Sequence, residues 1–190
     1  MWVCASTVAF AGQGGCRYGG RVFFRSNHAA PTNPTSLDAV VAHALPQADA
    51  ETRAIVTGIA GLFGTVSYAD RKFSAEEKRI VRDLLLTIVG IGPAQADAIL
   101  GELESNIIVV STTEAPRFSR MLMQFGDRDL RLHVLDMLLD VAAADHALGN
   151  EEVVLLRQIT RALGLEQADY NDLQSKHRDK LSALQPESSR

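Results

Sequence analysis

The sequence has almost no cysteine. Cys4 and Cys16 are the whole complement in 190 residues, and nothing after residue 16 can be held by a disulfide or a thiolate–metal framework. It has no apolar run approaching the roughly 18 residues that a membrane-spanning helix requires, so no membrane span is expected and the body reads as soluble and cytoplasmic. It also lacks basic density where a nucleic-acid binder needs it. Residues 1–37 contain Arg17, Arg21 and Arg25 and no acid, which leaves 16 basic against 23 acidic side chains in residues 38–190, a net of −7. Such a body argues against nucleic acid as the main partner and suits cations or a basic protein surface. Finally, the familiar catalytic signatures are missing. There is no Gly-x-Ser-x-Gly elbow, no phosphate-binding P-loop, no dinucleotide glycine pattern, no His-Glu-x-x-His and no Cys-x-x-Cys. The expectation is a binding module and not an enzyme. A carboxylate-dependent hydrolase is the enzymatic alternative, since acids are plentiful.

What is present divides the chain in three. Residues 1–36 are rich in Gly, Ser, Thr and Asn and end near Pro31 and Pro34. They are expected to be disordered, or the product of a mis-set translation start. A secretory signal fits poorly, because no Lys or Arg precedes the short apolar run Trp2–Phe10. A transit peptide fits the composition, but Gly and Pro interrupt any amphipathic helix. Residues 37–184 carry the folded domain. Residues 185–190 are expected to fray.

Helical periodicity dominates the body and predicts an all-α, compact bundle of seven to eight helices without a sheet. Ser36 is placed to cap a short helix ending before Pro46, and Asp49 to cap a second. In that second helix Ile55, Ile59, Leu62, Phe63 and Val66 follow the spacing of one buried stripe. Gly58, Gly61 and Gly64 recur every third residue, at about 1 kcal/mol each relative to alanine, which predicts close approach of another backbone. Ser74 with Glu77 forms a capping box. Pro93, near a first helical position, starts another helix. Residues 106–113 are ambiguous: their β-branched side chains favour a strand, but a lone strand would have no partner, so an extended link or helix end is expected. Further helices are predicted near 114–125, after Asp127, near 150–163 and near 167–182.

The chain also aligns with itself at an offset of 75 residues. Asp70 then falls on Asp145, Glu76 and Glu77 on Glu151 and Glu152, and Val89-Gly90-Ile91 nearly on Leu163-Gly164-Leu165. This predicts an internal helix–acidic loop–helix duplication.

Two readings of the acidic loops stand side by side. Carboxylates in a first helical turn cap amides and complement the helix dipole, and an Asp forms turns. Alternatively, Asp70, Glu76, Glu77, Asp145, Glu151 and Glu152 together offer oxygens to a hard cation, Ca²⁺ or Mg²⁺, where the two loops lie side by side. The loops are not EF-hands, lacking acids at alternate positions and the twelfth-position Glu. His133, Asp136 and Asp140 precede the second loop at helical spacing and read as a solvated polar stripe. His146 beside Asp145 makes no zinc site alone.

The signatures Tyr68-Ala69-Asp70 with Ser74-Ala75-Glu76-Glu77, then Ala143-Ala144-Asp145 with Gly149-Asn150-Glu151-Glu152 and Leu163-Gly164-Leu165, resemble the TerB-like family linked to tellurite resistance. Related helical domains occur beside J-domains in some co-chaperones. The resemblance covers about residues 50–181. It implies a helical module whose acids hold a divalent cation, acting in metal (tellurite) or envelope stress response with a protein partner not identified. A ligand-free interaction scaffold or co-chaperone-like domain is the other reading. Members usually have Gly after the Asp; here Arg71 and His146 take that place.

Overall fold

The computed structural model describes residues 35–143 and 150–177. The expectations for residues 1–34 and 178–190, and for Asp145 and His146, lie outside these described residues. Within them the chain is all-α: α1 (Ser36–Ala44), α2 (Ala50–Ser67), α3 (Ala75–Leu85), α4 (Pro93–Val109), a π segment (Val110–Glu114), α5 (Ala115–Phe125), α6 (Arg128–Ala142), α7 (Asn150–Ala162) and α8 (Gln167–Lys176). No strand occurs among the described residues.

α2 is the axis of the bundle. It carries no charged side chain after Arg53, and every residue from Ala54 to Ser67 is buried. The single stripe expected from periodicity is therefore too narrow. α2 is apolar all round because α1, α3, α4, the π segment, α5, α6 and α7 all touch it, and a helix of that kind is stable only when enclosed. Its start is fixed by Asp49, whose carboxylate accepts from the Thr52 amide at 2.7 Å.

The three glycines are what let a long helical stretch lie against α2. A Cβ at Gly58 would meet the Phe118 carbonyl oxygen at 3.2 Å and Leu122 at 3.1 Å; one at Gly61 would sit 2.5 Å from the Phe118 ring; one at Gly64 would touch Leu103 at 3.1 Å and Val110 at 3.3 Å. As α2 is read from Gly64 back to Gly58, its contacts advance from Leu103 to Leu122, so the stretch α4–π–α5 passes in the opposite direction. The expected backbone approach is realised at Gly58. At Gly61 and Gly64 the space is filled by side chains.

Two local expectations are corrected. The cap of α1 is Thr35 and not Ser36, which is the first helical residue. Residues 106–113 are not an extended link: α4, kinked at Asn106, ends at Val109 and passes into the π segment, so the helix-end alternative holds. Burial explains this, since Val110 is 2% exposed in the core and Ile107 reaches the Gly64 position. Tertiary packing overrides β propensity here.

Candidate functional site

The first acidic loop connects α2 to α3. Asp70 is exposed, and its Oδ1 accepts from the Lys72 backbone N–H at 2.8 Å, an Asx turn that spans Arg71. Arg71 is thereby held at φ +67°, the left-handed region. That geometry favours glycine over any residue with a Cβ. A side chain in this region costs roughly 1–2 kcal/mol. Arg71→Gly is therefore expected to raise stability by up to about 1 kcal/mol, after the added entropy of glycine in the unfolded chain is subtracted. Urea unfolding of the two proteins checks this; a loss of stability in the glycine variant would mean that the arginine side chain makes compensating contacts.

The glutamates of this loop are engaged. Glu77 is 5% exposed; its carboxylate accepts from the Ser74 N–H at 2.7 Å, while the Ser74 hydroxyl accepts from the Glu77 N–H at 3.1 Å. This is the capping box expected from the sequence. Glu76 is exposed and forms a two-point pair with Arg79, at 2.6 Å and 3.0 Å, and the other guanidinium nitrogen of Arg79 reaches Asp83 at 2.9 Å. Hydrogen bonding to Glu76 raises the Arg79 pKa above its ordinary value. Phe73 anchors the turn, partly buried against the core, with the Lys78 ammonium 5.4 Å from its ring centroid.

Of the second set, Glu151 and Glu152 lie in the first turn of α7, Glu151 exposed and Glu152 half-buried. Their loop and Asp145 fall outside the described residues. Among the described residues no three His, Cys, Asp or Glu side chains come together as a metal group. Asp70, Glu76 and Glu77 are brought to one loop and the first turn after it, but each holds a different partner.

Two polar clusters away from the loops escaped the reading of the sequence. Arg117 on α5 reaches Asp38 on α1 at 2.6 Å, with only 16% and 18% of the two side chains exposed. Glu114 lies within the same electrostatic neighbourhood; burial foremost raises its pKa, against the pull of Arg117. The second cluster corrects the solvated-stripe expectation. Asp136 and Asp140 of α6 face His177, the residue that caps the C-terminus of α8, at 2.9 Å from Nε2 and 3.4 Å from Nδ1. His177 is 9% exposed. Its hydrogen bond holds the Asp136 carboxyl below the usual range, more strongly than burial raises it. No local pattern reveals this pairing, because 41 residues separate the partners.

The family model for tellurite resistance protein TerB matches residues 57–175, a span that includes both acidic loops. No curated protein and no solved structure gives a significant match.

Proposed function

The chain belongs to the TerB family, and from that premise we propose that it is a non-enzymatic binding module that holds a divalent cation, Ca²⁺ or Mg²⁺, at its acidic loops and acts in metal or envelope stress response. The observation that carries this reading is Asp70. Its carboxylate stands at the surface on a fixed turn, inside the family match, and is not drawn into the core as Glu77 is. Asp145, Glu151 and Glu152 supply the remaining oxygens if the 75-residue offset reflects a true duplication that sets the two loops side by side. Glu76 joins by releasing Arg79. Glu77, already engaged in the capping box, contributes least, and that engagement is the observation favouring the rival reading of a ligand-free interaction scaffold.

Calorimetry of the full chain with Ca²⁺, Mg²⁺ and Zn²⁺ separates the two. A cation bound only by the folded state raises stability by about 2.7 kcal/mol at a concentration a hundredfold above Kd. Asp70→Asn and Asp145→Asn are each expected to abolish most of that gain, without adding to one another, since one loop has too few oxygens for a six- to eight-coordinate ion. A melting curve indifferent to millimolar divalent cations would instead leave the carboxylates as caps and turn formers.

A further inference from the structure

Of the four methionines in the sequence, Met121 and Met137 are closed to solvent, at 3% and 4% exposed, whereas Met123 is 44% exposed. Met123 is nonetheless not a loose surface side chain. Its sulfur lies 2.8 Å from Nη1 of Arg131 on α6, and a Cβ at Gly164, just past the end of α7, would meet the same sulfur at 2.9 Å. The thioether therefore sits where α5, α6 and the end of α7 meet, partly against protein and partly open to water.

Arg131 is the other half of this junction. Its Nη1 also donates to the Leu163 carbonyl at 2.6 Å, and its Nε to the Asp127 carbonyl at 3.1 Å. The first of these bonds satisfies a carbonyl that the C-terminus of α7 leaves over. Beside it Gly164, at φ +63°, lets the Leu165 N–H return to the Thr160 carbonyl at 3.0 Å. Two backbone carbonyls thus fix the guanidinium independently of Met123. What Met123 offers it is poor, since a thioether sulfur is only a weak acceptor.

Oxidation changes that. A sulfur lone pair attacks an oxygen of a hydroperoxide, an S–O bond forms and the O–O bond breaks. The departing oxygen takes up a proton and leaves as water or an alcohol, so the sulfur loses the two electrons that the peroxide gains. The product is a polar sulfoxide. The exposed side chain can turn about its terminal torsions to set the new oxygen against Nη1, and a hydrogen bond from a charged donor is about twice as strong as a neutral one.

We propose that Met123 is a modification site for hydroperoxides and that Arg131 receives its sulfoxide, so that oxidation ties α5 to the end of α7 instead of loosening the bundle. Methionine oxidation ordinarily disrupts a core by forcing a polar group into apolar contacts. Here the oxygen enters on the open side and finds a fixed cation, while the two methionines whose oxidation would disrupt the core are shielded.

Hydrogen peroxide treatment of the folded full chain, with the added oxygen located by peptide mass spectrometry, tests the first half. Met123 is expected to react at least about tenfold faster than Met121 or Met137, because susceptibility follows exposure; comparable rates would overturn the assignment. The melting temperature tests the second half. Protein oxidised at Met123 is expected to melt about 2–4 °C higher than untreated protein, and methionine sulfoxide reductase is expected to reverse the rise. No rise, or a fall, would overturn the role of Arg131. Met123→Leu, close in volume but without sulfur, is expected to lose the shift; since Cys4 and Cys16 remain in that variant, a shift that persisted would belong to them and not to Met123. Arg131→Gln starts less stable, having lost its bond to Leu163, so it is compared only with itself. Oxidation is expected to give no rise there, and a rise equal to that of the unmodified sequence would remove the guanidinium from the account.

Discussion

Gly61→Ala is expected to lower stability by about 2 kcal/mol, although alanine is the better helix former. The propensity gain is about 1 kcal/mol in its favour. Against it, the new Cβ would lie 2.5 Å from three carbons of the Phe118 ring, a contact no ordinary packing contains. Phe118 is completely buried, so its ring cannot swing into solvent, and relief requires α5 to move off α2. Overpacking of this kind usually costs 1–3 kcal/mol, and the upper end applies where a rigid ring is the obstacle. For a domain of this size the loss lowers the melting temperature by about 4–8 °C. Gly101 in α4 is the internal control. Nothing lies within 4 Å of a Cβ there, so Gly101→Ala is expected to gain about 0.5–1 kcal/mol. Opposite signs for two identical substitutions in two helices would tie the effect to the Phe118 contact. Equal signs would remove the packing account of the glycine repeat.

The second large effect is expected at Arg117. Its guanidinium binds Asp38 at 2.6 Å and reaches the Thr35 hydroxyl at 3.4 Å, joining α5 to the first turn of α1. Arg117→Met keeps much of the side-chain volume but leaves Asp38 and Glu114 together without a cation. Breaking a fully buried pair costs 3–5 kcal/mol; at this partial exposure about 2–3 kcal/mol is expected. The pH dependence adds a signature. Glu114 already has a raised pKa, so the folded state binds its proton more tightly than the unfolded state does. Stability on its account falls as the pH rises from the ordinary carboxylate range through the raised value. Without Arg117, which pulls that value down, the loss extends to higher pH. Arg117→Met is therefore expected to be more damaging near neutrality than near pH 5, as measured by urea unfolding at both. Adding Glu114→Gln is expected to recover part of the neutral-pH loss. A deficit independent of pH would show that the arginine contributes by packing alone.

The helices were legible in the sequence because their signals are local. Asp49, Asp127 and the Ser74–Glu77 box mark starts by hydrogen bonds three residues long, and each is present. The all-α class follows from the same periodicity. What the sequence hid depends on neighbours distant along the chain. α2 looked like a one-sided helix because Thr and Gly interrupt its apolar residues; in the bundle the Thr65 hydroxyl donates to the Gly61 carbonyl at 2.8 Å and is buried with the rest. Residues 106–113 were ambiguous because β-branched side chains carry a strand preference in isolation, which left an extended link open beside a helix end. Asp136 and Asp140 looked like a solvated stripe because His177 is far along the chain. In the acidic loop the Glu77 cap was legible for the same local reason, whereas the pairing of Glu76 with Arg79 was not anticipated; geometry gives Asp70, Glu76 and Glu77 three different partners.

From Pro93 to Phe125 the chain is helical apart from a kink at Asn106 (φ −123°, ψ 19°), with a π segment beyond it, and one end of that stretch must meet Gly64 while the other meets Gly61 and Gly58. Each residue turns a helix by about 100°, and a π turn holds one residue more than the α pattern. The segment, together with the kink at Asn106, therefore sets the rotational phase between Leu103 and Phe118. Thr112 and Thr113 are exposed, so their identities are open to change. Their number is not: removing one would let the π turn relax to α and swing the Phe118 ring out of the notch above Gly61. Along these five residues natural variation would be tolerated as replacement and selected against as insertion or deletion, the reverse of what surface connections usually allow.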